Sequence, residues 1–415
     1  MLPKQTRRLE SLDSMNLLTI SSLYPNHKDP KHGIFVQNRL RKLLEQYPDI
    51  NASVIAPVPW FPIESERFPE YSKFAGVKSH EVLFDIDVAH PKYLVIPKLG
   101  MWLTPFFMAF SLYFAVKKHI KTYGRPDIID GHYFYPDGVA IAIVSKLFKI
   151  PYTCTSRGTD LNLIAESRIP RKMIRWVIKH SSKTMAVCQA LTDKLTELGA
   201  QDALALRNGV DLTFFSTLND DQRSANKEAA LAALNVTSSP SVLLLSVGWL
   251  IERKGHHLVI DALSKLPDAH LLIAGNGPEE KALKEYCVKL GLHANVSFLG
   301  SLSQTNLKTY YQIADALVLA SSREGWANVL LESMACGTPV VATNIWGTPE
   351  VVQSQVAGQL VTRDADAIAM GVKTLLSNYP SHFETRQYAE QFDWTSTSKA
   401  QYELFCNIKS GGNHD

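Results

Sequence analysis

Short apolar runs rich in β-branched residues alternate with longer stretches of helical periodicity from Met15 onward. The runs have the length of strands, and the longer stretches have the length of crossover helices. This alternation is typical of βαβ units and predicts a parallel sheet. In the first half of the chain it predicts strands at 16–20, 52–56, 82–88, 127–130, 152–155 and 183–187, and helices at 35–45, 102–120, 137–148, 171–179 and 190–198.

The pattern stops at residues 216–240, which are polar, carry one short helical piece and end in Ser-Ser-Pro, as an interdomain connection does. A second series then predicts strands at 242–247, 270–274, 295–299, 316–319 and 340–342, with helices at 256–266, 278–290, 304–313 and 327–336. The prediction is an α/β protein with two Rossmann-like domains, at 15–215 and 241–383. A flexible tail is predicted at 1–14 and a C-terminal helical segment at 384–415.

Length and composition agree with two folded domains. The chain has 415 residues, more than one hydrophobic core usually supports, and its 46% apolar and 20% charged residues are ordinary for a globular protein. A net charge of +3 is too small to indicate nucleic-acid binding, so we expect no nucleic-acid partner. The five cysteines are widely separated, which predicts buried thiols in a reducing cytoplasm and neither a disulfide framework nor a zinc site.

Metal binding is not predicted either. Two acidic pairs, Asp85-x-Asp87 and Asp364-x-Asp366, have a spacing that metal sites use, but the first falls in a predicted strand and the second near a predicted helix start. We interpret them as surface or capping aspartates and expect no required metal. Phosphate-loop, zinc-protease and nucleophile-elbow motifs are also lacking.

The segment Gly100–Val116 is nearly uncharged, rich in aromatic residues and bounded by Lys98 and by Lys117 and Lys118. Three interpretations are open for it: a buried helix of the first domain, a helix at a membrane interface, and a transmembrane helix. A length of about 17 residues is at the short end for a membrane span. The N-terminus has basic residues but no signal-type apolar run, so we predict no signal peptide.

Candidate chemistry is concentrated in residues 321–343, SSREGWANVLLESMACGTPVVAT, where a strand leads through a loop into a helix and a second strand. Loops at the carboxyl ends of parallel strands bind ligands in open α/β sheets. Glu324 lies in the loop and Glu332 lies within the helix, while the helix N-terminus near 327–329 offers amides to an anion. An anion between two carboxylates indicates a ligand with phosphates and hydroxyls, although a solvent-facing Glu324 and a helix-surface Glu332 would explain the same pattern.

Two further loops follow predicted strands of the second domain. The sequence SVGWLIERKGHH, 246–257, places Arg253 and Lys254 near Gly248, and two adjacent cations at a strand end suit a diphosphate, although an ordinary charged turn is the alternative. The sequence AGNGPEE, 274–280, places Gly275 and Gly277 at another strand end, where glycines allow close backbone approach.

Together these segments resemble the family-4 glycosyltransferases. The resemblance runs from about Met15 to Val352, is most specific in the paired-glutamate motif and its ESMACGTPVVAT, and includes RNGVDLTFF at 207–215. SSLYPNHKDPKHGIFVQNRL and DGHYFYPDG are similar to a polysaccharide-assembling branch. The resemblance implies the GT-B fold, in which an N-terminal acceptor-side domain and a C-terminal nucleotide-sugar domain face a central cleft.

The resemblance also implies a role for each candidate residue. Lys254 and Arg253 would neutralise the donor diphosphate, Glu324 would bind the donor sugar, and Glu332 would bind the ribose. The loop from Gly300 to Ser303 would contact the base. Further donor contacts would come from Gly33 of the first domain and from Gly248, Asn276, Gly277, Asn328, Val329 and Leu330 of the second.

The sequence departs from the family pattern in two places. Trp249 stands where the family commonly has Arg, so Arg253 would have to supply the second positive charge. In the first domain the family commonly has a His-Gly-x-Asp turn, and this chain has Arg157-Gly158-Thr159-Asp160. Arg157 cannot accept a proton. His132, at a neighbouring predicted strand end, is the alternative catalytic group or a structural histidine, and the sequence does not choose between Arg157 and His132.

The resulting prediction is a retaining hexosyltransferase of surface polysaccharide biosynthesis. It would move a sugar from a UDP- or GDP-sugar to a glycan or lipid-linked acceptor without a cofactor or a protein nucleophile. We expect it in the cytoplasm, with a peripheral contact to the inner face of the cytoplasmic membrane. A sugar-nucleotide epimerase of similar architecture and a non-catalytic sugar-binding protein are the alternatives.

Overall fold

The computed structural model describes residues 14–60, 74, 76–96, 102–236 and 240–411. The predicted tail, except Ser14, lies outside the described residues, as do Lys98, Gly100 and Met101. The chain forms two compact units. Unit 1 comprises Met1–Met185, Leu195–Leu204 and Ser398–Asp415, and unit 2 comprises Ala186–Lys194 and Ala205–Thr397.

The first ten strands, in chain order, are β1 (Met15–Ile20), β2 (Ile50–Ile55), β3 (Val58–Trp60), β4 (His80–Leu83), β5 (Ile86–Ala89), β6 (Lys92–Leu94), β7 (Ile128–His132), β8 (Tyr152–Ser156), β9 (Lys183–Ala186) and β10 (Leu204–Ala205). In the described part of the chain they form a sheet of order β10-β9-β8-β7-β1-β2-β5-β4, and β3 pairs with β6 separately. The pairs β1–β2, β1–β7, β2–β5 and β7–β8 are parallel. The predicted parallel sheet is therefore present.

One predicted strand of unit 1 is wrong. Residues 82–88 do not run straight but belong to a hairpin, in which β4 pairs antiparallel with β5. Phe84 (φ 52°) and Asp85 (φ 61°) form its two-residue turn. Positive φ at both central residues matches the twist of a tight hairpin. No glycine or asparagine marks this turn, so the alternating apolar pattern reads as one continuous strand.

The helices are α1 (Ile34–Gln46), α2 (Thr104–Tyr123), α3 (Val139–Phe148), α4 (Thr159–Asn162), α5 (Arg168–His180), α6 (Gln189–Glu197), α7 (Asp220–Ala233), α8 (His256–Leu263), α9 (Glu280–Lys289), α10 (Gln304–Ile313), α11 (Asn328–Ala335), α12 (Thr348–Val351), α13 (Ala365–Ser377), α14 (His382–Ala389) and α15 (Thr395–Gly411).

Helix α2 contains most of the aromatic segment and has two different sides. Met108, Leu112 and Val116 are buried on one side, whereas Phe110 and Phe114 are 69% and 54% exposed on the other. The segment is therefore only half buried, which differs from a simple core helix. None of the described helices combines the length and the apolar content that crossing a bilayer demands.

Helix α15 joins unit 1 although it follows unit 2 in the sequence. Phe405 is fully buried in a core cluster with Leu17, Val36 and Val54. Tyr402 of the same helix stacks on Tyr47, with ring centroids 3.9 Å apart. The helical segment predicted at 384–415 is thus divided, since α14 belongs to unit 2 and most of α15 belongs to unit 1.

Unit 2 contains β11 (Val242–Val247), β12 (Ala269–Ala274), β13 (Val296–Gly300), β14 (Ala316–Leu319), β15 (Val340–Thr343) and β16 (Gly358–Val361). Within the described residues the sheet order is β13-β12-β11-β14-β15-β16 and every neighbouring pair is parallel. Counted from β11, this is the 3-2-1-4-5-6 order of a Rossmann sheet. The order reverses between β11 and β14, and ligands of such sheets bind outside the strand ends at that point.

The region predicted as an interdomain connection contains α7, which belongs to unit 2. Asn219 and Gln222 form a capping box at its start. Arg223 and Lys227 then pair with Asp315, at 2.9 and 2.8 Å. These contacts make the segment a packed helix of the second unit.

Candidate functional site

Lys254 and Glu324 meet at the switch point of the unit 2 sheet. Lys254 ends the short turn Glu252–Lys254 after β11, and Glu324 lies in the loop after β14. Lys254 Nζ donates to Glu324 Oε1 over 2.5 Å, and the Ser321 hydroxyl donates to the same oxygen over 2.6 Å. The structure thus brings together a cation and a carboxylate that are 70 residues apart in sequence.

Arg253 completes this ionic cluster. Its Nη1 lies 3.8 Å from Glu324 Oε2 and donates to the carbonyl of Arg323 over 2.7 Å. Burial by itself raises the pKa of Glu324, but the Lys254 ammonium, the Ser321 hydroxyl and Arg253 outweigh it and hold the pKa below its ordinary value. Glu324 is therefore an ionised hydrogen-bond acceptor beside two cations.

Glycines permit the loops around the cluster to pack closely. A Cβ on Gly248 would lie 3.2 Å from Lys254 Cδ, and Gly248 has a φ of 155°. A Cβ on Gly277 would lie 2.4 Å from the Leu250 carbonyl oxygen. Asn276 accepts a hydrogen bond from the Leu250 amide through its carbonyl, at 2.8 Å. The predicted Gly248, Asn276 and Gly277 therefore bring the ends of β11 and β12 together.

Glu332 lies on α11 in a different environment from Glu324. The Tyr311 hydroxyl donates to Glu332 Oε2 over 2.9 Å. Burial raises the pKa of Glu332 to about 7, although the Tyr311 hydrogen bond lowers it. The two predicted glutamates thus differ, because Glu324 has a cationic partner and Glu332 has a neutral one.

The N-terminus of α11 follows Ala327, which provides no side-chain cap. The amide of Asn328 donates to the Trp326 carbonyl over 3.1 Å, and that of Leu330 donates to Ala327 over 3.0 Å. Two of the three residues predicted to contact the sugar donor here, Asn328 and Leu330, therefore already use their amides in tight-turn hydrogen bonds, and Val329 lies between them. The Asn328 side chain also accepts from Asn208 Nδ2 at 3.3 Å.

The predicted base-binding loop follows β13. Ser303 caps α10, since its hydroxyl accepts a hydrogen bond from the Asn306 amide over 3.2 Å. The Gly300 carbonyl accepts from the Gly275 amide at 2.8 Å, which joins this loop to the one after β12. Four loops, after β13, β12, β11 and β14, therefore follow one edge of the sheet.

Three of the predicted site residues, Gly33, His132 and Arg157, belong to unit 1. Gly33 has a φ of 63°, and a Cβ there would lie 2.1 Å from the Leu23 carbonyl carbon. Glycine is therefore required by the packing of this turn against the end of β1. Its predicted contact with a donor stays a prediction.

His132 and Arg157 are hydrogen-bonded to each other. Arg157 Nη2 lies 2.8 Å from His132 Nδ1, and His132 Nε2 lies 3.2 Å from Asp130 Oδ2. Because a guanidinium only donates, Nδ1 accepts and the proton of the neutral ring is on Nε2, toward Asp130. Burial, reinforced by Arg157, lowers the pKa of His132 to about 4 against the opposing effect of Asp130.

The same buried network extends to α1 and α15. Arg39 Nε donates to Gln401 Oε1 over 2.9 Å, and Gln401 Nε2 donates to Asp130 Oδ2 over 3.1 Å. Sequence reasoning did not find Arg39 or Gln401, because they come from helices hundreds of residues apart. Ser321 and Tyr311 were missed for different reasons. Ser321 lies in the paired-glutamate segment 321–343 but has the pattern of an ordinary loop serine, and Tyr311 has the pattern of an ordinary core tyrosine.

The aspartates weighed as metal ligands have other places. Asp85 lies in the β4–β5 turn, and Asp364 caps α13 by accepting from the Ala367 amide over 2.8 Å. In the ranges that the structure describes, no three His, Cys, Asp or Glu side chains are grouped as a metal site needs. The expectation that sugar transfer requires no metal remains a prediction.

Two family models match the chain. The model described as Glycosyltransferase Family 4 matches residues 68–214, and the model described as Glycosyl transferases group 1 matches residues 234–392. The two matches occupy most of the chain. The chain belongs to the family-4 glycosyltransferases.

Relatives of this glycosyltransferase agree with the assignment. A putative teichuronic acid biosynthesis glycosyltransferase, TuaC of Bacillus subtilis, is 25% identical over 399 residues, covering 95% of this chain and 97% of the relative. Among solved structures, sucrose-phosphate synthase from Thermosynechococcus elongatus has a TM-score of 0.77 at 16% identity, covering 96% of this chain and 100% of that one. HepE of Anabaena, solved in complex with UDP-glucose, has a TM-score of 0.69 at 20% identity and covers 95% and 100%. These structural likenesses show the GT-B fold.

The raised pKa of Glu332 in this glycosyltransferase predicts a stabilising substitution. Below about pH 4.5 the side chain is protonated in both the folded and the unfolded state. The folded protein holds this proton up to about pH 7, so the free energy of unfolding falls as the pH rises from about 4.5 through about 7. Glu332→Gln should therefore melt at a higher temperature than the wild type at pH 8, by a margin that shrinks toward pH 5. Glu324→Gln is the matched control and should melt lower at pH 8, because it removes the anion beside Lys254. Calorimetry measures both, and an unchanged melting temperature for Glu332→Gln at pH 8 contradicts the argument.

The ring of His132 should stay neutral over the range in which ordinary histidines titrate. We expect one imidazole signal of ¹⁵N-histidine-labelled protein to keep the Nε2–H tautomer from pH 8 to pH 5, because its pKa is about 4. The signal is assigned by its loss in His132→Gln. Titration of that signal with a midpoint above pH 6 is the contrary result.

Proposed function

We propose that this glycosyltransferase is a retaining hexosyltransferase that uses a nucleoside-diphosphate sugar. The observation that carries the proposal is Glu324, held ionised by Lys254 and Arg253 at the switch point of a Rossmann sheet. A site with a fixed carboxylate and two cations has groups for both halves of such a donor. The carboxylate accepts hydrogen bonds from sugar hydroxyls, and the cations attract the diphosphate.

Lys254 and Arg253 serve the leaving group in this proposal. The contact between Lys254 and Glu324 uses one of the three N–H donors of the ammonium, which leaves two for phosphate oxygens. As the bond between the anomeric carbon and the diphosphate breaks, negative charge develops on the diphosphate. Cations already fixed in place stabilise that charge without reorganisation.

The acceptor hydroxyl forms its new bond to the anomeric carbon on the face that the diphosphate leaves, so the configuration is retained. Its proton passes to an oxygen of the departing diphosphate. Every bond is accounted for without a protein nucleophile. Glu332 accepts hydrogen bonds from the ribose, and its ionised form, favoured above about pH 7, is the one that can do so from both oxygens.

Arg157 and His132 divide the role that the family gives to one histidine. Arg157 donates hydrogen bonds at every physiological pH, so its proposed role is to donate them to oxygen atoms of the nucleotide sugar. His132 is a positioning residue, because both ring nitrogens are occupied by Arg157 and Asp130. This assignment favours Arg157 over His132 as the group that contacts substrate.

The substrates are proposed from relatives. HepE was solved with UDP-glucose, so a UDP-sugar is the first donor to test, and a GDP-sugar is the second. TuaC is named for teichuronic acid biosynthesis, which supports a glycan or lipid-linked acceptor of a surface polysaccharide. We place the enzyme in the cytoplasm, at the inner face of the membrane where such an acceptor is held.

Contact with the membrane would use the exposed aromatic side of α2. Phe106 of this helix is 50% exposed, and Trp102, two residues before the helix begins, is 55% exposed. Lys117 and Lys118 follow on the helix. Aromatic rings enter the headgroup region, and lysines are attracted to anionic lipid. This combination supports a peripheral contact.

Removing Lys254 should impair transfer. Lys254→Ala is expected to lower kcat/KM about a hundredfold or more, since one fixed charge-stabilising donor is lost. Steady-state kinetics with the donor identified by thermal shift measure the effect, and Lys281→Ala, a lysine 89% exposed elsewhere in unit 2, should behave as wild type. A Lys254→Ala enzyme of undiminished kcat/KM would falsify the role.

Exposed aromatic residues in α2 and just before it should control membrane binding. The variant Trp102→Ser/Phe106→Ser should co-sediment less with vesicles containing anionic lipid, and the part of the binding that survives high salt should fall most. Phe383→Ser, which removes a phenylalanine 71% exposed in unit 2, is the matched control and should bind as wild type. If the wild-type protein does not co-sediment with anionic vesicles at low salt, the membrane contact is ruled out.

A further inference from the structure

Unit 1 contains a cavity of about 980 Å³ between α2 and the strands β2 to β6. Its volume is at the upper end of the range for small-molecule sites. The residues that line it are distinct from Gly33, His132 and Arg157 and from the buried network of Asp130. Of the roles described above, only the proposed membrane contact involves this lining, through Lys118.

The cavity is apolar at one end. Phe107, Phe110 and Phe114 line it from α2, and Trp60 and Leu94 line it from β3 and β6, which pair with each other. Trp60 and Leu94 are 44% and 40% exposed. Large apolar side chains that remain exposed around a concave surface mark a binding site rather than a core.

The lining becomes polar toward the C-terminus of α2. Lys118, His119, Thr122 and Tyr123 line this end, and His119 Nδ1 lies 3.4 Å from the Ser53 hydroxyl. From Phe107 to Tyr123 the helix rises about 24 Å at 1.5 Å per residue. The cavity therefore separates an apolar end from a polar end along one helix.

The cavity lining carries two lysines, Lys92 and Lys118, against one carboxylate, Asp87. Asp87, a carboxylate of the lining, is 3.0 Å from His80 Nε2. Among the described residues no carboxylate pairs with the side chains of Lys92 and Lys118, which both line the cavity. Burial lowers the pKa of His119, so this ring is neutral at pH 7 and the lysines supply the charge. An anionic group fits the polar end of the cavity.

We propose that this cavity binds a single long apolar chain that ends in a phosphate-type anion. The apolar chain lies along Phe107, Phe110 and Phe114, and the anion lies at Lys118. The inference rests on the proposed function in one respect, since it identifies this amphiphile with the lipid part of a lipid-linked acceptor. A free sugar is a poor occupant, because the aromatic wall offers few hydrogen-bond partners for its hydroxyls.

Binding of one apolar chain in the cavity can be distinguished from contact of the α2 surface with a bilayer. Two pairs of residues make this distinction. Phe114 lines the cavity and Phe106 does not, although both are about half exposed on the same helix. Lys118 lines the cavity and Lys121 does not, although both are exposed lysines of α2. Since none of the four side chains is buried, each variant is expected to fold.

The test is calorimetric titration of the full chain, without vesicles, with dodecyl phosphate below its micelle concentration. Butyl phosphate should bind about a hundredfold more weakly or worse, because eight methylenes are lost. Phe114→Ser should weaken dodecyl phosphate about tenfold, and Phe106→Ser should bind as wild type. Lys118→Gln should weaken dodecyl phosphate about fivefold without changing dodecanol binding, and Lys121→Gln should change neither.

Three results would overturn the proposal: no binding of monomeric dodecyl phosphate, equal binding of butyl phosphate, or equal losses in Phe106→Ser and Phe114→Ser. The first of these, with binding seen only on vesicles, would mean that α2 lies on a bilayer instead. A thermal-shift titration with UDP-glucose on the same protein reports on unit 2 separately. Donor binding and transfer without chain binding reject this inference alone, whereas chain binding without any sugar transfer rejects the proposed function.

Discussion

Burial of the Glu324 carboxylate is the constraint on which the unit 2 site depends. A buried carboxylate is stable only when a cation and hydrogen bonds compensate for lost water, and Lys254 and Ser321 provide them. Lys254 reaches Glu324 because β11 and β14 are neighbours at the point where the strand order reverses. Glycine at 248 leaves room for the lysine side chain. Sheet topology, backbone and electrostatics therefore support one contact.

Unit 1 also has buried charged side chains at the point where the strand order of its sheet reverses, between β1 and β7. His132 ends β7, the neighbour of β1, with Asp130 two residues before it, and Arg157 follows β8. Here a neutral histidine separates the arginine from the aspartate. The guanidinium keeps its charge and gains a fixed orientation, which an arginine pointing into solvent would not have. Both units thus hold a cation rigidly at the carboxyl ends of their strands.

The sequence predicted the local parts of this arrangement well. Apolar runs located most strands of both sheets, although β10 and β16 were not predicted and residues 82–88 were predicted as one strand. The positions of Lys254 and Glu324 after two of the predicted strands placed both at one sheet edge. Contacts between distant segments were not readable from it. Tyr311 reaches Glu332 from a separate helix, and the turn at Phe84 lacks the residues that usually mark a hairpin. Neither the partner of a buried side chain nor the twist of a turn leaves a periodic signal.

The place of α15 has a consequence for how the protein is made. Unit 1 begins with β1 near residue 15, yet its core includes Phe405, and its buried network includes Gln401. A ribosome synthesises all of unit 2 between those two parts. The nascent first unit therefore waits with an incomplete core while the second unit emerges whole. The order of completion along this chain is the reverse of the order of synthesis.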